Sequence, residues 1–190
     1  MKSRAYFTKY RAWLPLAAFC LLGGCADLAL RFDFPDWLAI APKALGARTL
    51  EQQMLLHLPN QETRALETVL EISEDHLDMA LLAFGMRLAT ISYDGRDVYE
   101  TSYAPIGFPF RRMIRDFLLV AAPMPEIIAA LPSGWQAEES RQGENCLREF
   151  HENGKPLIRI LYETCSPWRG RVRFSHIRLG YQLTLDTHEL

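Results

Sequence analysis

Hydropathy along this chain alternates with a period of two over most of residues 50–186 and switches to the helical period only once, so it must fold around an antiparallel sheet. Gln52, Met54, Leu56 and Leu58 fall on one side of a first run. Leu66, Thr68, Leu70 and Ile72 do so in a second, with Glu67 and Glu71 opposite. Each run reads as a strand with one buried face. Pro59-Asn60, Glu74-Asp75, Phe84-Gly85 and Asp94-Gly95 interrupt the pattern at short intervals, and Asp-Gly is a strong two-residue hairpin signal. Residues 50–104 therefore predict an antiparallel meander. Its middle strands, Leu77 to Phe84 and Met86 to Tyr93, carry apolar residues on both faces.

After Pro109 the period changes. Phe110, Met113, Ile114, Phe117 and Leu118 stand at i, i+3, i+4, i+7 and i+8, with Arg111, Arg112, Arg115 and Asp116 on the other, solvated face of the expected helix. A second short helix is expected from Pro125 through Ile127, Ile128 and Leu131, stopping at Pro132-Ser133-Gly134. Strand patterns then resume at Trp135 to Ser140, Cys146 to His151, Leu157 to Glu163, Val172 to Ile177, and Tyr181/Leu183/Leu185. A long sheet with one helical interruption twists and curls around the apolar stripe of its helices. The expected class is α+β: a single curved antiparallel sheet of about ten strands, an incomplete β-barrel, wrapped over a central helical pair.

The first 25 residues carry a different signal. Lys2, Arg4, Lys9 and Arg11 precede an apolar run from Ala12 to Leu22, which is followed by Gly23-Gly24-Cys25. Eleven apolar residues are well short of the roughly 20 that span a bilayer. The pattern resembles a bacterial lipoprotein signal with its lipobox. That resemblance implies a signal peptide over 1–24, acylation of Cys25, a lipidated N-terminus and tether over 25–48, and a folded domain over 49–190. Ala26 rather than Asp follows Cys25, which by similarity to sorted lipoproteins favours the periplasmic face of the outer membrane. Without residues 1–24 the chain has 17 basic against 23 acidic residues, and an acidic balance argues against a nucleic-acid partner.

With Cys20 in the signal and Cys25 acylated, Cys146 and Cys165 remain to pair in an oxidising compartment. If a loop of Asn153-Gly154-Lys155-Pro156 joins their strands, Cys146 faces Glu163 and Cys165 lies two residues off the direct partner. A relaxed disulfide then requires a bulge or a frayed strand end. A bridge and two buried free thiols are both open on this reading.

Catalytic and metal constellations are not evident. There is no Gly-x-Ser-x-Gly elbow, and His57, His76, His151, His176 and His188 are scattered without ligand spacing. No enzymatic activity, cofactor or metal is expected.

The lipobox, the strand run Leu66 to Tyr103 with its Tyr93-Asp94-Gly95 hairpin, the Pro-flanked helices and the closing Arg178-Leu179-Gly180-Tyr181-Gln182-Leu183 resemble bacterial lipoproteins related to the LolA/LolB carriers. The resemblance covers about residues 50–188. It implies a half-barrel whose concave face, covered by helices, holds acyl chains; some relatives are associated with aryl polyene lipid synthesis. The Arg that such carriers use inside their cavity has no matching motif here. The expected ligand surface is Leu70, Ile72, Met79, Leu81 and Leu183 of the sheet with Phe117 and Leu118 of the helix. The expected partners are a lipid-like hydrophobic ligand, the outer membrane through Cys25, and envelope transport or biosynthesis proteins. The rival expectation is a membrane-tethered docking module with a filled core.

Overall fold

A computed structural model describes residues 38–104 and 110–190; Cys25 and the expected signal lie outside the described residues. The alternating segments form ten strands: β1 (Arg48–His57), β2 (Thr63–Ile72), β3 (Leu77–Ala83), β4 (Met86–Tyr93), β5 (Val98–Ser102), β6 (Trp135–Gln142), β7 (Asn145–Glu152), β8 (Lys155–Tyr162), β9 (Gly170–His176) and β10 (Tyr181–Glu189). The helical segment forms α1 (Phe110–Ala121) and α2 (Met124–Ala130). α2 begins one residue earlier than expected, with Pro123 as its N-cap and Pro125 inside the first turn, where its missing N–H leaves no bond unmade.

All ten strands belong to one antiparallel sheet in the order β5-β4-β3-β2-β1-β10-β9-β8-β7-β6. Two five-strand meanders are thus joined by the pairing of the first strand with the last, for example Met54 opposite Leu185. The outer strands β5 and β6 are edges, so the sheet is open and not closed into a barrel. In sequence, α1 and α2 lie between those two edges.

Register places the apolar rows side by side. Leu50 faces Leu70, which faces Met79, which faces Ile91, and all four are fully buried. Leu183 faces Phe174, which faces Ile160. The opposite face carries exposed ion pairs such as Arg171–Asp186 and Arg159–Glu149. Pairs of that kind contribute about 0–1 kcal/mol each, so the fold rests on its buried face.

Part of the expected tether is docked. Leu38, Ile40 and Leu45 are buried, a short 3₁₀ turn covers Pro42–Leu45, and the Tyr93 hydroxyl donates to the Leu38 carbonyl while accepting from the Ile40 N–H, both at 3.1 Å.

The expected pairing of Cys146 with Glu163 is corrected. The β7–β8 hairpin turns on Asn153-Gly154 alone, and a bulge at Phe150/His151 adds one residue, so Cys146 faces Tyr162. β8 ends there. The following loop swings Cys165, at φ 50°, back to form a disulfide with Cys146 across a Cα separation of 4.7 Å. Bulge and strand end together supply the geometry that a straight ladder denies.

Candidate functional site

α1 packs on the buried face of the sheet, and side chains of the second meander fix it there. Arg148 on β7 shares the inward row with Phe150 and is itself buried. Its Nη1 donates to the carbonyls of Leu119 at 2.8 Å, Val120 at 3.3 Å and Ala122 at 3.0 Å, which are orphan acceptors at the end of α1. The remaining guanidinium edge binds Glu139 on the neighbouring strand β6 at 2.8–2.9 Å. Tyr162 on β8 adds a 2.8 Å bond from its hydroxyl to the Val120 carbonyl. A cation at a helix C-terminus also complements the helix dipole.

A second polar cluster holds the middle of α1. Asp116 accepts a hydrogen bond from the Tyr181 hydroxyl of β10 and pairs with Arg115 at 3.4 Å. Burial pushes the Asp116 carboxyl above the ordinary range, opposed by Arg115 and by the Tyr181 bond. Burial also raises the Tyr181 hydroxyl, and the adjacent Asp116 carboxylate adds to the effect. His176 on β9 stands 5.2 Å from the Tyr181 ring, and its Nδ1 accepts the Leu179 N–H at 3.3 Å. Burial, with the charges of Arg115 and Arg112, pulls its pKa down to about 3, so its imidazole is neutral at physiological pH.

This cluster corrects the sequence reading of α1. Asp116 was assigned to the solvated face with the three arginines, yet it is only 4% exposed. Leu119, Val120, Ala121 and Ala122 are also buried in succession, so the C-terminal half of the helix is enclosed on all sides. Of the three arginines Arg111 is exposed, whereas Arg112 and Arg115 are partly buried, the Arg115 side chain at 11% exposure.

The seven residues expected to line a ligand surface all lie in the buried interior. Leu70 and Met79 face each other, Ile72 faces Leu77, Leu81 faces Thr68, and Leu183 faces Leu56 and Phe174. Phe117 and Leu118 are buried on α1. Exposure of the seven runs from 0% to 8%, so they are packed as core. Arg148 was missed. Its signal was the run Cys146-Leu147-Arg148-Glu149-Phe150, which sets a charge on the same period-two row as a Phe and a Cys.

A row of buried polar groups crosses the same face. Gln52 donates to Thr187 at 2.8 Å and accepts from Thr68 at 3.5 Å, linking β2, β1 and β10. No helix among the described residues is long and apolar enough to cross a membrane.

The model of a family described as a protein of unknown function, DUF3261, matches residues 49–189. Among solved structures, a LolA superfamily protein, NE2245 from Nitrosomonas europaea, matches with a TM-score of 0.38 at 10% identity, over 80% of this chain and 89% of that one. No curated protein matches the sequence.

Proposed function

The chain belongs to the DUF3261 family, and we propose that it binds a lipid-like hydrophobic molecule, an acyl or polyene chain, between the concave face of its sheet and α1. The observation that carries this reading is the manner of closure. The apolar interior is sealed by α1 and α2, which run between two unpaired edge strands, rather than by a β5–β6 ladder. A ladder is rigid, whereas a helical cover is held by a few side-chain bonds. When it shifts, Leu70, Met79, Leu81 and Leu183 change from core to ligand surface without any strand separating.

The energies favour long chains. Exposing Phe117 and Leu118 costs about 1.5–3 kcal/mol each, whereas burying a methylene gains about 0.8 kcal/mol. For these two side chains alone the opening is offset by about four to eight methylenes, so longer chains bind with a surplus and the shortest do not. No covalent step is involved. The function also includes attachment to the periplasmic face of the outer membrane through acylated Cys25, supported by the lipobox-like Leu22-Gly23-Gly24-Cys25. Cys25→Ser is expected to accumulate as unprocessed, unacylated precursor; acyl labelling of that variant overturns the anchor.

The binding test is photocrosslinking of the full lipoprotein in envelopes with diazirine-bearing fatty acids of increasing length. Long chains are expected to label peptides of β2, β3 and α1, with weaker labelling in Phe117→Leu. Labelling confined to the outer face, or independent of chain length, overturns the reading and leaves the docking module, whose interior stays filled.

A further inference from the structure

The loop joining β8 to β9, residues 163–169, is held more firmly than its surface position requires. The Cys146–Cys165 disulfide ties it to β7. Glu163 N–H bonds the Arg171 carbonyl at 3.0 Å, and the Thr164 hydroxyl donates to the Arg169 carbonyl at 2.7 Å. Trp168 N–H bonds the Ser166 hydroxyl at 3.2 Å, and the Arg48 guanidinium of β1 lies 3.9 Å from the centre of the Trp168 ring. Cys165 adopts φ 50°, a conformation that non-glycine residues rarely take. A strained, multiply braced surface loop is the usual mark of a loop that positions side chains for binding.

Those side chains border a cleft of about 470 Å³ lined by Ser166, Trp168, Arg169, Thr187, His188 and Glu189. Its volume falls within the range of small-molecule sites, roughly 300–1,000 Å³. We infer that this cleft binds a sugar ring bearing an anionic substituent. The chemistry of the wall specifies both parts. Ser166 and Thr187 each accept a bond, from Trp168 N–H and from Gln52, which leaves their hydroxyl protons to donate. Thr187 is 2% exposed and stands on the inward row of β10, at the buried edge of the cleft. Glu189 offers acceptor oxygens, and the indole of Trp168, which carries the Arg48 guanidinium over its ring, offers its remaining apolar surface to the C–H face of a pyranose.

The charge balance is positive. Glu189 is neutralised by Arg48 at 3.4 Å, whereas Arg169 is exposed and carries no ion pair among the described residues. A purely apolar ligand would strand these hydroxyls and the guanidinium, and a cation would meet Arg169. The inference stands apart from lipid binding in the interior, because the cleft is bordered by the β8–β9 loop and the end of β10, and none of these lining residues belongs to the α1 cover.

The test is calorimetric titration of the full chain, held in a sugar-free detergent, with N-acetylglucosamine 1-phosphate, N-acetylglucosamine and inorganic phosphate. The sugar phosphate is expected to bind at least about tenfold more tightly than either fragment. Arg169→Gln, a change at an exposed side chain, is expected to lose about tenfold, as is Trp168→Ala, and reducing the disulfide to weaken binding severalfold. Tighter binding of lipid A, a phosphorylated and acylated glucosamine disaccharide, assigns the sugar to a lipid-linked source; equal binding assigns it to a free one. The inference is overturned if the sugar phosphate fails to bind at about 10 mM, if phosphate alone matches it, or if Arg169→Gln binds as the wild type does.

Discussion

The two meanders that meet at the β1–β10 pair bury the same kind of face with different chemistry. Along β2 to β4 the inward rows are almost wholly aliphatic: Leu70, Ile72, Leu77, Met79, Leu81 and Ile91. Along β7 to β10 the inward rows include Arg148, Tyr162, His176 and Tyr181, and Arg148, Tyr162 and Tyr181 hydrogen-bond α1 or its C-terminal carbonyls. The first half contributes burial, which is non-directional and tolerates sliding. The second contributes directional bonds that set where the helix sits. A cover fastened along one half of a curved sheet opens from the other, and the predictions below test that asymmetry in order of expected size.

Removing Arg148 breaks the difference most severely. Arg148→Ala strands the Leu119 and Ala122 carbonyls and Glu139, while Val120 keeps its bond from Tyr162, and a loss of about 3 kcal/mol is expected. Thermal melting is expected to fall by roughly 6–12 °C, given about 2–4 °C per kcal/mol for a domain of this size. Hydrogen exchange in α1 should rise more than exchange in β2 or β3. A uniform rise over both meanders would show that the bonds stabilise the fold without fixing the helix.

Acid sharpens the same contrast through His176. Its folded pKa, about 3, lies below the unfolded value near 6.5, so the unfolded chain takes up the proton first and stability falls as pH drops through that window. The expected loss between pH 6.5 and pH 5 is about 2 kcal/mol, at about 1.4 kcal/mol per pH unit. Asp116 acts with the opposite sign, because its raised pKa favours the folded state as acid protonates it, and it blunts the lower end of the range. Chemical denaturation across these pH values should show the slope in the wild type. His176→Asn, which keeps an acceptor for Leu179 N–H, should lack it.

Tyr181→Phe removes the hydroxyl that donates to buried Asp116 while preserving the ring that stacks on Phe174 at 5.9 Å. A cost of about 1–2 kcal/mol is expected, with the Asp116 carboxyl moving further upward as it loses a donor. An unchanged melting temperature would mean that Arg115 alone satisfies Asp116.

Much of this was legible before any coordinates. Alternation and turn signals located nine of the ten strands to within a few residues, with β5 implied only by the Asp94-Gly95 hairpin, and Phe110 to Leu118 announced the helix. The polar fastening was not legible. Arg148 acquires its role from register, which the Asn153-Gly154 turn and the one-residue bulge set beyond the reach of periodicity. Asp116 looked solvated because a helical stripe identifies only one packed face, and here the run Leu119 to Ala122 is enclosed all round. The disulfide was open for the same reason, since Cys165 reaches Cys146 only by leaving the ladder.

The smallest effect comes from a turn that both meanders share. Asn153-Gly154 joins β7 to β8 with φ of 51° and 74°, and Phe84-Gly85 joins β3 to β4 with φ of 52° and 73°. Two-residue hairpins of this backbone favour Asn, Asp or Gly at the first position, because a short polar or absent side chain tolerates the left-handed region and a bulky one does not. The second meander follows that preference. The first places there a Phe that is 97% exposed and gains nothing from packing to offset the strain. Phe84→Asn should therefore stabilise the fold by about 0.5–1 kcal/mol, read as a rise of a few degrees in melting temperature. The reciprocal change, Asn153→Phe, should destabilise by a similar amount or more, because the Asn153 side chain also abuts Gly134 at the start of β6, 2.7 Å from where a Cβ would stand. If Phe84→Asn instead lowers stability, the exposed ring is doing structural work in the first meander that its solvent exposure conceals.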